Sequence, residues 1–166
     1  MSTPLSTLTT NVNFLQQVNF KLTIQRPSFT NLEYYCTSVN LPSVTMGEVK
    51  DNYRNQQGYF PGDTLAYDTL RLKFMVDENM ANYTEAYNWM LLNATPNQIP
   101  TDSAPPSRSD LILSVLTSKN TFNKQFQFRD AFPTSIGELA FNAQAQSVEY
   151  ISCEMTLRFN NFVIVS

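Results

Sequence analysis

Catalysis needs side chains that move protons, hold metals or attack, and this chain has few of them. It contains no histidine, which removes the commonest general base and the commonest neutral metal ligand. The two cysteines, Cys36 and Cys153, stand 117 positions apart, a weak pattern for zinc. Both fall inside predicted strands, which favours buried free thiols over a disulfide. The nearest acidic pair, Asp77-Glu78, comes just before a predicted helix, where carboxylates complement the positive end of the helix dipole. No Gly-rich phosphate loop, G-x-S-x-G elbow or paired-Asp nuclease motif is present. The residues argue against an enzyme, and no metal or cofactor is expected. Tyr34 and Tyr35 could stack bases, as in a single-stranded nucleic-acid binding module. That alternative lacks its electrostatic half, because the net charge is −3 and the isoelectric point lies near 4.8.

The totals bound the rest. A chain of 166 residues fits one ordinary domain with a sizeable core. Only 15% of the residues are charged. Such a surface is either covered by other subunits or merely rich in amides, and composition leaves both readings open. No apolar stretch approaches the length that spans a bilayer, and Met1 to Asn13 is polar, without a basic start or an apolar core. Neither membrane insertion nor secretion is marked. No repeat of fixed period and no heptad pattern occurs.

Periodicity supplies the elements. Asn19–Gln25 alternates Phe20, Leu22 and Ile24 against Lys21, Thr23 and Gln25 and reads as a strand. Leu32–Leu41 reads as a second strand, ended by Leu41-Pro42. The polar stretch Ser43–Asp68 is too long for a plain connection. It is either a small hairpin or an arm with an external task. Thr69–Val76 is a strand with Leu70, Leu72, Phe74 and Val76 on one face and Arg71 and Lys73 on the other. Tyr83–Leu92 is the one convincing helix, with Tyr83, Ala86, Tyr87, Met90 and Leu91 as its buried stripe. Asn82 and Glu85 have the spacing of a capping box. Trp89 falls at the stripe's flank, where a partly buried core aromatic is favoured over an interface anchor, and Leu92 projects away.

After the Pro-rich loop Asn93–Ser109, Asp110–Thr117 and Lys124–Phe132 read as two strands of a hairpin turning through Ser118–Asn123. Pro133 should end the second of them, and Gly137 should permit the turn that follows. From residue 151 the odd positions Ile151, Cys153, Met155, Leu157 and Phe159 are apolar, and the even positions Ser152, Glu154, Thr156, Arg158 and Asn160 are polar. That is a strand with one buried and one wet face.

Four stretches, in this order and spacing, resemble the tail tube proteins of contractile-tailed bacteriophages. They are Asn19–Gln25 with Tyr35-Cys36-Thr37-Ser38-Val39-Asn40-Leu41-Pro42; Pro61-Gly62-Asp63-Thr64 with Tyr67-Asp68-Thr69-Leu70, Asp77-Glu78-Asn79 and the helix bearing Trp89; the pair Asp110–Thr117 and Phe126–Asp130; and the corner Phe132–Phe141 with the terminal strand Val148–Phe162. Together they cover most of residues 18–162. The resemblance implies a mainly β fold, a tail-tube-like β-sandwich or barrel with one flanking helix, whose sheets join into an inner barrel within a hexameric ring. Residues 1–18 would be an N-terminal extension, longer and more polar than in a plain tube subunit, and 19–166 one domain with 43–68 as its loop or hairpin arm.

The resemblance further implies a structural virion protein in the phage tail, assembled in the host cytoplasm. Its stacked rings would conduct DNA without specific binding, with tail sheath and baseplate proteins as partners. A tube-fold baseplate, initiator or terminal protein is the alternative, and a type VI secretion tube a further variant. A neutral or acidic channel wall would suit passage. In such a ring the even face of the terminal strand, Ser152, Glu154, Thr156 and Arg158, becomes a candidate lumen surface. Inter-ring contact falls to Glu48, Lys50, Asp51, Arg54 and Asp63 as paired charges and to Val49, Tyr53, Tyr59 and Phe60 as apolar anchors.

Overall fold

The computed structural model describes residues 15, 17–26, 32–33, 35–54, 56–94, 108–142 and 150–165, the side chain of Tyr53 excepted. Most of the N-terminal extension, Tyr34, most of the Pro-rich loop and Val148 lie outside them. Strands β1 (Phe20–Ile24), β2 (Cys36–Asn40), β3 (Val44–Tyr53), β4 (Gln56–Tyr67) and β5 (Leu70–Met75) precede the helix α1 (Ala81–Ala94). Strands β6 (Ser109–Leu116), β7 (Phe122–Ile136), β8 (Ser152–Arg158) and β9 (Asn161–Val165) follow it. The fold is mainly β with one long helix and antiparallel sheets.

Alternation does what its period demands. Leu22 and Ile24 of β1, Leu70, Leu72 and Phe74 of β5, and Cys153, Met155 and Leu157 of β8 are buried, while Lys21, Arg71, Lys73, Glu154 and Arg158 remain exposed. All pairings are antiparallel. One half of the sheet runs β1-β6-β7-β9 and the other β7-β8-β5-β2, so β7 serves both. Its Gln125–Arg129 segment pairs with β9 and its Phe132–Ile136 segment with β8.

The change of partner happens at Asp130, whose φ is 54°. Short polar side chains tolerate that left-handed angle because they can hydrogen-bond locally. The Asp130 N–H donates to Asp110 Oδ1 at 3.0 Å, and Asn160 Nδ2 donates to Asp130 Oδ2 at 2.9 Å. Asn160 lies between β8 and β9, so both strands of the ribbon change partner at one place. Beside it the Phe128 and Phe159 rings meet edge to face at 5.0 Å, and Phe162 and Tyr67 join them at 5.5 Å from each other. Each such pair contributes roughly 0.5–1.5 kcal/mol beyond the area it buries. Side chains of both halves and of α1 share one core.

The structure corrects the predicted corner. Pro133 does not end β7, which continues to Ile136. Proline is tolerated in strands at edges and bulges, and Pro133 sits at a register shift with no strand on its far side among the described residues. Gly137 does not have a positive φ. Its N–H donates to the Glu154 carbonyl at 2.6 Å, and a Cβ there would lie 3.1 Å from that oxygen, so close approach accounts for the glycine. The second predicted strand is also shorter, since Leu32 and Glu33 are helical and β2 begins at Cys36.

The helix is rotated from its predicted stripe. Its buried residues are Asn82, Ala86 and Trp89, whereas Tyr87 and Leu91 are exposed and Leu92 is half-buried. Asn82 is not the cap. Its Nδ2 donates to the Met75 carbonyl at 2.6 Å and its Oδ1 accepts the Tyr83 N–H at 2.8 Å, which ties the helix start to the end of β5. Asp77 does the capping, its Oδ1 accepting the Asn82 N–H at 3.2 Å. Glu85 accepts the Leu32 N–H at 3.3 Å and closes no capping box. Trp89 is wholly buried, with the Arg26 guanidinium 5.8 Å from its ring centre.

Candidate assembly surfaces

The stretch Ser43–Asp68 is a hairpin. β3 and β4 pair only with each other among the described residues, apart from the sheet that holds the core. A ten-residue strand reaches roughly 30 Å. Its base is anchored where Tyr67 packs against Phe159 and Phe162. Directly opposed residues share a face, so Val49 and Phe60 lie together on one side, and Glu48 with Pro61 and Lys50 with Tyr59 on the other. Lys50 Nζ is 3.7 Å from the Glu48 carboxylate and 5.8 Å from the Tyr59 ring centre. Val49 is 58% and Phe60 57% exposed, and Val44, Met46 and Leu65 are exposed nearer the base. Asp51 is exposed, Arg54 turns the tip with φ 51°, and Tyr53 closes β3. The predicted contact residues are thus brought onto one arm.

Between Met46 and Glu48 the register shifts, with Gly47 on β3 beside Gly62 on β4. A Cβ on Gly62 would lie 2.6 Å from the Gly47 carbonyl oxygen, whereas one on Gly47 would meet nothing within 4 Å. The two strands approach there more closely than a side chain permits.

The second surface is the open face of the β7-β8-β5-β2 half. Glu154 and Arg158 are exposed on it, and Ser152 and Thr156 half-buried, as the odd-even pattern predicts. Pairing then adds what periodicity alone misses. Lys73 lies opposite Glu154, Arg71 opposite Thr156 and Phe132 opposite Arg158. The Arg108 guanidinium stands 5.6 Å from the centre of the Phe132 ring. Ser38, Asn40, Arg71, Lys73 and Glu154 line a shallow depression of about 120 Å³ on this face. Arg71, Lys73 and Arg158 on these strands, with Arg108 beside Phe132, therefore gather against Glu154, the one carboxylate that the described strand segments of this face carry. Among the described residues the strands of this face are basic.

Both edges of that half are open. No described strand pairs with the outer side of β2 or with the outer side of β7 from Phe132 to Ile136. Cys36 and Cys153 lie on opposite sides of β5, both opposite Phe74. Two strand spacings of about 4.8 Å keep them beyond disulfide reach, and both thiols are free. Burial pushes both thiols up, Cys36 to about 11. Tyr35 is exposed, and its carbonyl accepts the Met75 N–H. Among the described residues no three His, Cys, Asp or Glu side chains cluster as metal ligands. No described helix is long and apolar enough to cross a membrane.

A family model described as phage tail tube protein matches residues 4–165. No curated protein matches the chain. Among solved structures, the anti-feeding prophage cap (AFP tube terminating cap) is similar at a TM-score of 0.67 and 16% identity, over 99% of each chain. The sheath-tube complex of an extracellular contractile injection system (PVC, extended state) is similar at 0.61 and 19% identity, again over 99% of each chain. The anti-feeding prophage baseplate is similar at 0.66 and 12% identity, over 99% of this chain and 97% of that one. At these identities the likeness is one of fold.

Proposed function

The chain belongs to the phage tail tube protein family, and from that premise we propose that it is a structural subunit of a contractile tail. In this reading, copies join through the open edges of the β7-β8-β5-β2 half into a hexameric ring, and rings stack into the conduit for DNA. The pair of open edges carries the reading. Unpaired strand edges recruit other strands, and two edges on one subunit give a head-to-tail contact that closes when the rotation closes. The face bearing Ser152, Glu154, Thr156 and Arg158 then lines the channel. The β3–β4 arm, exposed along its length, reaches the next ring through Val49, Tyr53, Tyr59 and Phe60, with Glu48, Lys50, Asp51 and Arg54 setting register. Tail sheath and baseplate proteins are its partners in the virion.

A second reading makes the chain a terminal or baseplate ring, favoured by its likeness to a tube terminating cap and a baseplate component. Electron microscopy of the purified full chain separates the two. Long tubes support the tube body, and single rings that do not extend support a terminal position. A chain that stays monomeric at high concentration, alone and with its tail partners, overturns both. Replacing Glu48–Pro61 by a short Gly-Ser bridge keeps Tyr67 in place and is expected to leave rings that do not stack.

A further inference from the structure

We propose that the basic face of the β7-β8-β5-β2 half is a sequence-independent contact surface for the phosphate backbone of DNA. The inference deepens the tube reading and rests on it for the setting: in a ring this face meets whatever the channel holds. Its grounds are local. The strand segments that build the face, β2, β5, β8 and Phe132–Ile136 of β7, contain one carboxylate, Glu154. Against it stand Arg71, Lys73, Arg158 and, over Phe132, Arg108. No ion pair joins Glu154 to any of these cations among the described residues, although Lys73 lies directly opposite.

A chain with an overall charge of −3 has therefore concentrated positive charge on one face, which is the electrostatic footprint of a nucleic-acid contact. The form of the footprint defines the contact. Arg71 and Lys73, two residues apart on β5, are separated by roughly 6.8 Å along the strand. Single cations at that spacing, among the hydroxyl and amide groups of Ser38, Asn40 and Thr156, suit oxygen atoms on an extended polyanion. Within the described strand segments the one aromatic on the open side, Phe132, is half-buried and has Arg108 across its ring, so it offers no free platform for stacking a base. Contacts of this kind position a nucleic acid without reading its sequence. Each copy supplies few of them, so binding per copy is weak and reversible, as a polymer that must slide requires. An acidic polypeptide is the rival occupant. Phosphates are favoured because three of the four cations are arginines, whose planar fork matches phosphate oxygens.

The test measures fluorescence anisotropy of a labelled mixed-sequence 20-base-pair duplex with the full-length chain, beside polyglutamate of equal charge as a second probe. If three cations per copy neutralise phosphates, affinity falls about 40-fold between 50 and 200 mM salt. Arg71→Gln with Arg158→Gln should remove most of the binding and flatten the salt dependence. Glu154→Gln should tighten it several-fold, a gain that misfolding cannot mimic. No salt-dependent binding of duplex, or binding indifferent to both variants, overturns the proposal. So does polyglutamate binding where duplex does not. Electron microscopy of the same samples separates the two readings. Rings without DNA binding defeat this inference alone, and DNA binding through these residues without rings defeats the tube reading alone.

Discussion

Replacing Val49 and Phe60 by Thr should weaken stacking without harming the subunit. The two side chains are opposed on one face of the β3–β4 arm and are 58% and 57% exposed. Full burial of a Val or Phe side chain is worth roughly 1.5–3 kcal/mol. With more than half of each still in water, a neighbouring ring can gain about 1–1.5 kcal/mol from each, or about 2–3 kcal/mol from the pair. At about 1.4 kcal/mol per factor of ten, that is a rise of roughly 30- to 150-fold in the concentration at which tubes form. Within the subunit the variant loses only a cross-strand contact worth roughly 0.2–1 kcal/mol, and Thr keeps the strand preference. Pelleting and tube length against concentration read the first quantity, and a circular dichroism melt reads the second. An unchanged threshold, with the fold intact, would show that the arm's apolar face is not what holds successive rings.

Gly62→Ala and Gly47→Ala make a matched pair. The first places a methyl 2.6 Å from a backbone oxygen and should disrupt the arm and tube formation, while the second meets nothing within 4 Å and should leave both intact; equal behaviour in assembly and proteolysis assays would refute the close approach. Burial raises the Cys36 thiol from 9.0 to about 11, so in the folded chain at pH 8 its reaction with a thiol reagent should run about 100-fold slower than in urea. The unfolded chain loses its thiol proton first as pH rises from 9.0 towards about 11. Stability should therefore fall across that window and be insensitive to this group below it, which urea titrations of Cys36→Ala and the parent chain can compare.

Strands with one wet face were legible because burial imposes period two on them, as in β1, β5 and β8. The helix was legible as a helix but not in its rotation. Its stripe is set by Asn82, a polar residue buried because it ties α1 to the Met75 carbonyl, and by Ala86 and Trp89, buried one and two turns further on. Hydrophobic spacing cannot anticipate a buried amide. The bend of β7 is not legible in the sequence because Asp130 takes a backbone angle usually signalled by glycine, and because Pro133 is permitted by an edge that, among the described residues, only the sheet order shows to be open. The arm's candidate contact residues fall on one element because a hairpin keeps sequence neighbours together. The basic face was not, since Arg71, Arg108 and Arg158 come from distant segments and meet only through strand pairing.

The β7-β8-β5-β2 half has four strands, each antiparallel to the next. With an even count, the first and last strands point in opposite directions. A second copy in the same orientation, setting its β7 edge beside β2, continues the alternation, and the joint between copies has the same antiparallel geometry as the pairings inside each one. Three or five strands would have forced a parallel seam at every joint, with its less stable pairing. Hydrogen-bond direction thus places no limit on how many copies can join. In the proposed ring the number that closes is left to the twist and curvature of the sheet, so substitutions that change curvature without touching an edge are the ones that would alter the width of the proposed channel.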